Sequence, residues 1–247
     1  MRWALCLVVA TACWHERVPD LPPVPPPPPG PPAELRIPEL DEYRKPNASM
    51  LVDRVYVYGR SDNLIAYLHE PADDACGCYE VIAIVQDLTS GLRIWSDRYK
   101  SEEIHPDGPP QVSNLQQIWD ARGAVWELNI RAFGITRETV TALHVISTTG
   151  RSVPRLAIHK RKVGDDSDLG YAHLTSYRID LITTAGDTTI AAQTEHLDTF
   201  DLLEVEVPGY LPPRGNGRAA VLIVERRRGW EGLPYLAGLR FAGADLR

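Results

Sequence analysis

The sequence predicts a mainly β (α+β) domain, with antiparallel strands in meanders and one long amphipathic helix at about 114–133. Three observations lead there. Short segments rich in Val, Ile, Thr and Tyr recur along the chain with turn residues between them, the pattern of antiparallel sheets. One segment alone repeats its apolar residues at the helical period. Strands and helices do not alternate, which argues against a parallel doubly wound sheet.

Taken in order, residues 37–49 are polar and broken by Pro38 and Pro46, an irregular lead-in. Residues 52–58 set valines against Asp and Tyr, a half-buried strand, with 59–63 as its turn. Residues 64–69 form a second short strand and 70–77 a polar loop. The run 79–86 (YEVIAIVQ) is dense in β-branched residues and suits a strand covered on both faces. After a turn at 87–91, residues 92–99 are again extended. Asn114 is a suitable helix cap. Leu115, Ile118, Trp119, Arg122, Val125, Trp126, Asn129, Ile130 and Phe133 then follow at helical spacing, seven of the nine apolar. Gly134 ends the helix, and Gly123 inside it costs about 1 kcal/mol relative to Ala. Strands resume at 139–147, 153–160, 172–183, 188–195, 200–207, 218–227 and 235–241, with turns at 149–150, 164–170, 185–187 and 208–217.

The N-terminus speaks for location. Met1-Arg2 precedes an apolar run at 3–12 that ends Ala10-Thr11-Ala12-Cys13. A charged start, a short apolar core and small residues before a cut site make an export signal. Ten residues span only about 15 Å as a helix, too short for a bilayer. The same tetrapeptide resembles the lipobox of bacterial lipoproteins, with Ala10 where Leu is usual. That resemblance implies a lipid on Cys13, and Trp14 in place of Asp after it implies the outer membrane. The rival is plain secretion with Cys13 as an incidental thiol. Residues 19–32 (PDLPPVPPPPPGPP) are held near polyproline II and reach roughly 40 Å, a stiff spacer behind an anchor. A ligand for a proline-binding domain is the competing reading. The chain thus divides into a signal (1–12), an anchor Cys with spacer (13–33) and a β-rich body (34–247), with any subdivision of that body falling near 135. The expected partners are a membrane, through Cys13, and an envelope protein or surface polymer. The net charge of −7 excludes non-specific nucleic-acid binding.

Candidate chemistry is sparse, and no cofactor is implied. Cys76 and Cys78 flank one Gly, so an oxidising compartment favours a disulfide that clips a loop. A strained, labile bond there is the redox alternative. The histidines show no metal-ligand spacing, and Asp165-Asp166-Ser167-Asp168 lacks the EF-hand pattern. Glu204 and Glu206 alternate along a strand and share a face. Arg226, Arg227 and Arg228 next to Trp230 form a basic run with a flat platform, a candidate surface for an anionic partner, with a solvated strand end as the favoured alternative. No nucleophile elbow, phosphate loop or dinucleotide fingerprint is present.

Two resemblances remain. Asp62-Asn63-Leu64-Ile65-Ala66-Tyr67, with Tyr79-Glu80-Val81 and Val85-Gln86-Asp87-Leu88-Thr89-Ser90-Gly91, is similar to one blade of a TolB-type β-propeller. It occurs once, so it implies a local antiparallel unit and not a propeller. Hairpins, one helix, then strands leading to Gly229-Trp230-Glu231-Gly232 resemble an uncharacterised bacterial family of predicted secreted proteins. That resemblance implies export, with no catalytic residues attached. The function expected is therefore a non-enzymatic envelope module. The alternatives are an exported hydrolase assembled from distant residues and, more weakly, a redox-responsive protein using Cys76 and Cys78.

Overall fold

The computed structural model describes residues 30–44, 50–72, 79–100, 114–140, 142–149, 153–163, 173–193, 202–229 and 232–247. These fold as four stacked layers, one helix and three sheets. The first sheet is the meander β2 (Arg54–Arg60), β3 (Leu64–Glu70), β4 (Glu80–Asp87) and β5 (Arg93–Lys100). The second runs in the order β1 (Met50–Val52), β11 (Gly232–Ala244), β10 (Ala219–Gly229) and β9 (Leu202–Leu211). The third is β6 (Arg155–Val163), β7 (His173–Thr183) and β8 (Gly186–Gln193). Helix α1 (Leu115–Ala132) covers the outer face of the first sheet. All pairings of these strands are antiparallel except β1 with β11.

The period of two explains the stacking. In the first sheet, Tyr56, Tyr58, Ala66, Leu68, Val81, Ala83 and Val85 meet α1. Their neighbours Val55, Val57, Ile65, Tyr67 and Ile84 meet the second sheet. In β10 the same rule sends Ala220, Leu222 and Val224 one way and Ala219, Val221 and Ile223 the other. Strands covered on both sides read as unbroken apolar runs, which is why 81–85 and 219–224 are so hydrophobic. The antiparallel unit expected from the blade-like motif is the first sheet. Its Asp87 closes the β4–β5 turn by accepting from the Thr89 N–H (2.8 Å) and the Ser90 hydroxyl (2.7 Å).

The helix begins as expected, with the Asn114 side chain accepting from the Gln117 N–H at 3.0 Å. It stops at Gly134, whose φ of +73° favours glycine. One assigned core position is wrong: Val125 is 49% exposed, because the true stripe runs through Trp119, Gly123, Trp126, Glu127 and Ile130. Gly123 is there for space. A Cβ on it would lie 2.7 Å from the buried Trp119 ring. Gly123→Ala should therefore destabilise by about 1–3 kcal/mol, although propensity alone favours Ala by about 1. The urea midpoint gives the sign directly.

The strand expected at 139–147 does not form. Residues 135–140 and 142–149 instead run as a strap across the edges of all three sheets. Each sheet offers the strap only a brief pairing. The Glu138 N–H donates to the Tyr58 carbonyl (2.9 Å), His144 exchanges two hydrogen bonds with Tyr210 (2.8 and 2.9 Å), and the Leu156 N–H donates to the Ser147 carbonyl (2.8 Å). Ile135, Val140 and Ile146 are buried in successive interlayer cores. Gly59 and Gly209 permit the crossing, since a Cβ would fall 2.1 Å from the Thr136 carbonyl oxygen and 2.5 Å from that of His144. This use of Gly59 places it inside β2, not in a turn. Likewise Pro208 and Gly209 belong to β9, an edge strand where proline is tolerated.

The strand expected at 52–58 is two strands broken at Asp53. The lead-in at 37–49 contains a 3-10 helix, Pro38–Arg44.

Candidate functional site

Of the residues singled out from sequence, Cys13, Cys76, Cys78 and Trp230 lie outside the described residues, as does the acidic run 165–168. Arg226 and Arg227 sit near the end of β10, each with a carboxylate. Arg226 Nη2 donates to Glu206 Oε2 at 3.1 Å and Arg227 Nη2 to Glu225 Oε2 at 2.5 Å. Arg228 follows them in the strand, partly exposed. Glu204 and Glu206 do not work as a pair. Glu206 is taken by Arg226, while Glu204 is bonded by Lys160, with Lys162 at 3.8 Å. Burial opposes ionisation of Glu204, but the Lys160 and Val205 N–H hydrogen bonds outweigh it and hold the carboxyl below its ordinary range.

His69, His159 and His144 are also partnered. His69 Nε2 lies 2.7 Å from Asp53, His159 Nε2 lies 3.1 Å from Asp180, and the His144 ring lies 5.7 Å from that of Tyr210. Among the described residues, no group of three or more His, Cys, Asp or Glu side chains is placed to hold a metal ion.

Sequence reasoning missed the buried polar ties between layers. Glu225 is 7% exposed between the second and third sheets. It accepts from the Tyr177 hydroxyl (2.5 Å), Arg240 Nε (2.9 Å) and Arg227 Nη2 (2.5 Å), and Arg240 also donates to the Tyr177 oxygen. Burial, aided by the Glu225 charge, pushes the Tyr177 hydroxyl up to about 12. Burial opposes the Glu225 charge as well, but the three donors outweigh it and lower its carboxyl. With its two oxygens taking three donors from β7, β10 and β11, Glu225 ties the second and third sheets together. Asp53 does the same between the first two sheets, accepting from His69, the Ala72 N–H (2.8 Å) and the Leu239 N–H (3.0 Å). The available sequence signal was a charge set beside unbroken apolar strands: Glu225 directly after 219–224, and Asp53 between Val52 and Arg54.

A groove of about 570 Å³ offers a different chemistry. It lies where the 3-10 helix, the strap and β9 meet. Pro38, Leu143, Val145 and Pro208 make apolar walls, and Arg36 and Glu39 contribute one charge of each sign. Val145 keeps 87% of its surface in water, an unusual place for a large apolar side chain. Such a lining suits capture of a small apolar segment, with the Arg and Glu fixing its direction. No family model matches the chain, and no curated protein or solved structure does either.

Proposed function

We propose that this chain is an exported envelope protein, anchored by a lipid on Cys13, whose β body is a non-enzymatic binding module. The groove beside Val145 carries the binding reading, because its walls can hold an apolar segment and its two charges can orient it. The export reading is supported by residues 1–13 and by the proline-rich run at 19–32 that joins them to the β body. At that junction Arg137 donates to the Gly30 carbonyl, and Leu35 and Ile37 follow directly into the core.

Two measurements test the two halves. The intact mass of protein taken from its native envelope should show a chain starting at an acylated Cys13. Recovery from the cytosol with Met1 attached would overturn the anchor. A photo-crosslinking residue at position 145 should give a discrete adduct with an envelope component, and the same residue at exposed position 92 should not. Equal labelling at both positions would remove the groove from the proposal.

A further inference from the structure

The core-facing side of α1 is not its only apolar side. Ala121, Ala124, Val125, Leu128 and Ala132 recur three, four or seven residues apart on the opposite face, all exposed. Leu128 lies about 180° around the helix from Trp119 at 100° per residue. It is 72% exposed and Val125 is 49% exposed. A helix with two apolar faces belongs between two layers, and among the described residues only one of these faces is covered.

The charges flanking this outer stripe are arranged for a particular occupant. Asp120 and Arg131 lie on the same side of it, eleven residues and about 16 Å apart. Asp120 is exposed and accepts from Gln116 (2.7 Å), and Arg131 keeps 63% of its side-chain surface while it lies beside Glu127 (3.6 Å) and the Tyr58 hydroxyl, contacts it would exchange for the new pair. If a second α1 is laid antiparallel along the stripe, Asp120 of each helix stands opposite Arg131 of the other. The two-fold axis makes that pair occur twice. A parallel copy would leave Asp120 and Arg131 about 16 Å apart along the axis and could not pair them. The small side chains at 121 and 124 allow the axes to approach to about 8–10 Å, so that Leu128 of one copy can seat between Ala121 and Val125 of the other.

We propose that the outer face of α1 is a homodimer interface, an antiparallel pairing of α1 with α1 of a second copy. Its seam is Ala121, Ala124, Val125 and Leu128, and its register is set by Asp120–Arg131 pairs. One helix per partner makes a small interface, so the dimer is weak and dependent on concentration.

Sedimentation equilibrium of the full chain in detergent tests this. The wild type should show a reversible monomer–dimer equilibrium. Leu128→Asp should leave only monomer, with unchanged far-UV circular dichroism and melting, because the leucine buries little in the monomer. Asp120→Arg should weaken association at least tenfold, and adding Arg131→Asp to it should recover most of that loss. Rescue by the double reversal requires the antiparallel register and would not follow from loss of a general apolar patch. A wild type that is monomeric at every concentration, a dimer indifferent to Leu128→Asp, or a double reversal without rescue would each overturn the proposal. The Asp120 and Arg131 variants keep the test decisive should Leu128→Asp prove misfolded.

Discussion

Glu225→Ala is expected to cost about 3–5 kcal/mol of stability, the range for removing one partner from a buried charge cluster. The loss exceeds that of a hydrogen bond because Arg240, Arg227 and Tyr177 all lose their shared acceptor at once. Urea unfolding should show a lower midpoint with an unchanged slope. Glu204→Ala is the control. Glu204 meets Lys160 and Lys162 at a partly exposed rim, so its loss should cost no more than about 1 kcal/mol. The same cluster shapes the pH profile. Glu225 is held below its ordinary value, so its contribution is complete above that value and fades as pH falls through the lowered one. The Tyr177 hydroxyl is raised from 10.0 to about 12, so its contribution is complete below pH 10 and fades as pH climbs toward 12. In Glu225→Ala the acid limb of the urea-midpoint profile should flatten, while the alkaline limb should largely remain, because burial is the main cause of the raised Tyr177 hydroxyl. An unaltered profile would mean that the cluster does not couple the sheets.

Gly243→Ala should be comparably severe, about 3 kcal/mol or more, for a steric reason. A Cβ on Gly243 would lie 1.7 Å from the Leu88 carbonyl oxygen, and backbone on both sides leaves no flexible partner to yield. The site is where the β4–β5 turn leans on β11. Beside it, Gln86 donates to the Phe241 carbonyl at 3.0 Å and accepts from Tyr67 at 3.2 Å. An added methyl group would have to part the first and second sheets along this seam. Gly91→Ala gives the scale. Gly91 has a φ of +74° but open space around its missing side chain, so it should cost only about 1 kcal/mol of backbone strain. Thermal unfolding of the two variants side by side separates jamming from strain.

Local patterns were readable where local physics decides the structure. The α1 ends follow from Asn114 and Gly134, and the buried central strands from the runs at 81–85 and 219–224. The strap was misread because a segment rich in Thr, Val and Ile looks like a strand whether one neighbour pairs with it throughout or three pair with it briefly. Val140 and Ile146 show the same β-branched chemistry as β10, and only the distance between sheets tells them apart. β1 was merged with β2 because Asp53 fits a polar slot in an alternating pattern. Its work is to accept from Leu239, far away in the chain. The groove was invisible for the same reason, since Pro38, Leu143 and Pro208 come together only when the 3-10 helix and the strap pack against β9.

The strap also governs how the molecule comes apart. A stack of sheets held only by facial packing could shed its leaves singly, the outermost first. Here one continuous stretch of backbone is riveted into every interface, through Ile135, Val140 and Ile146. Lifting any leaf pulls on the seams of the others. The stack is therefore built to melt as a single cooperative unit, and a proteolytic nick within 142–149 is expected to broaden that melting transition.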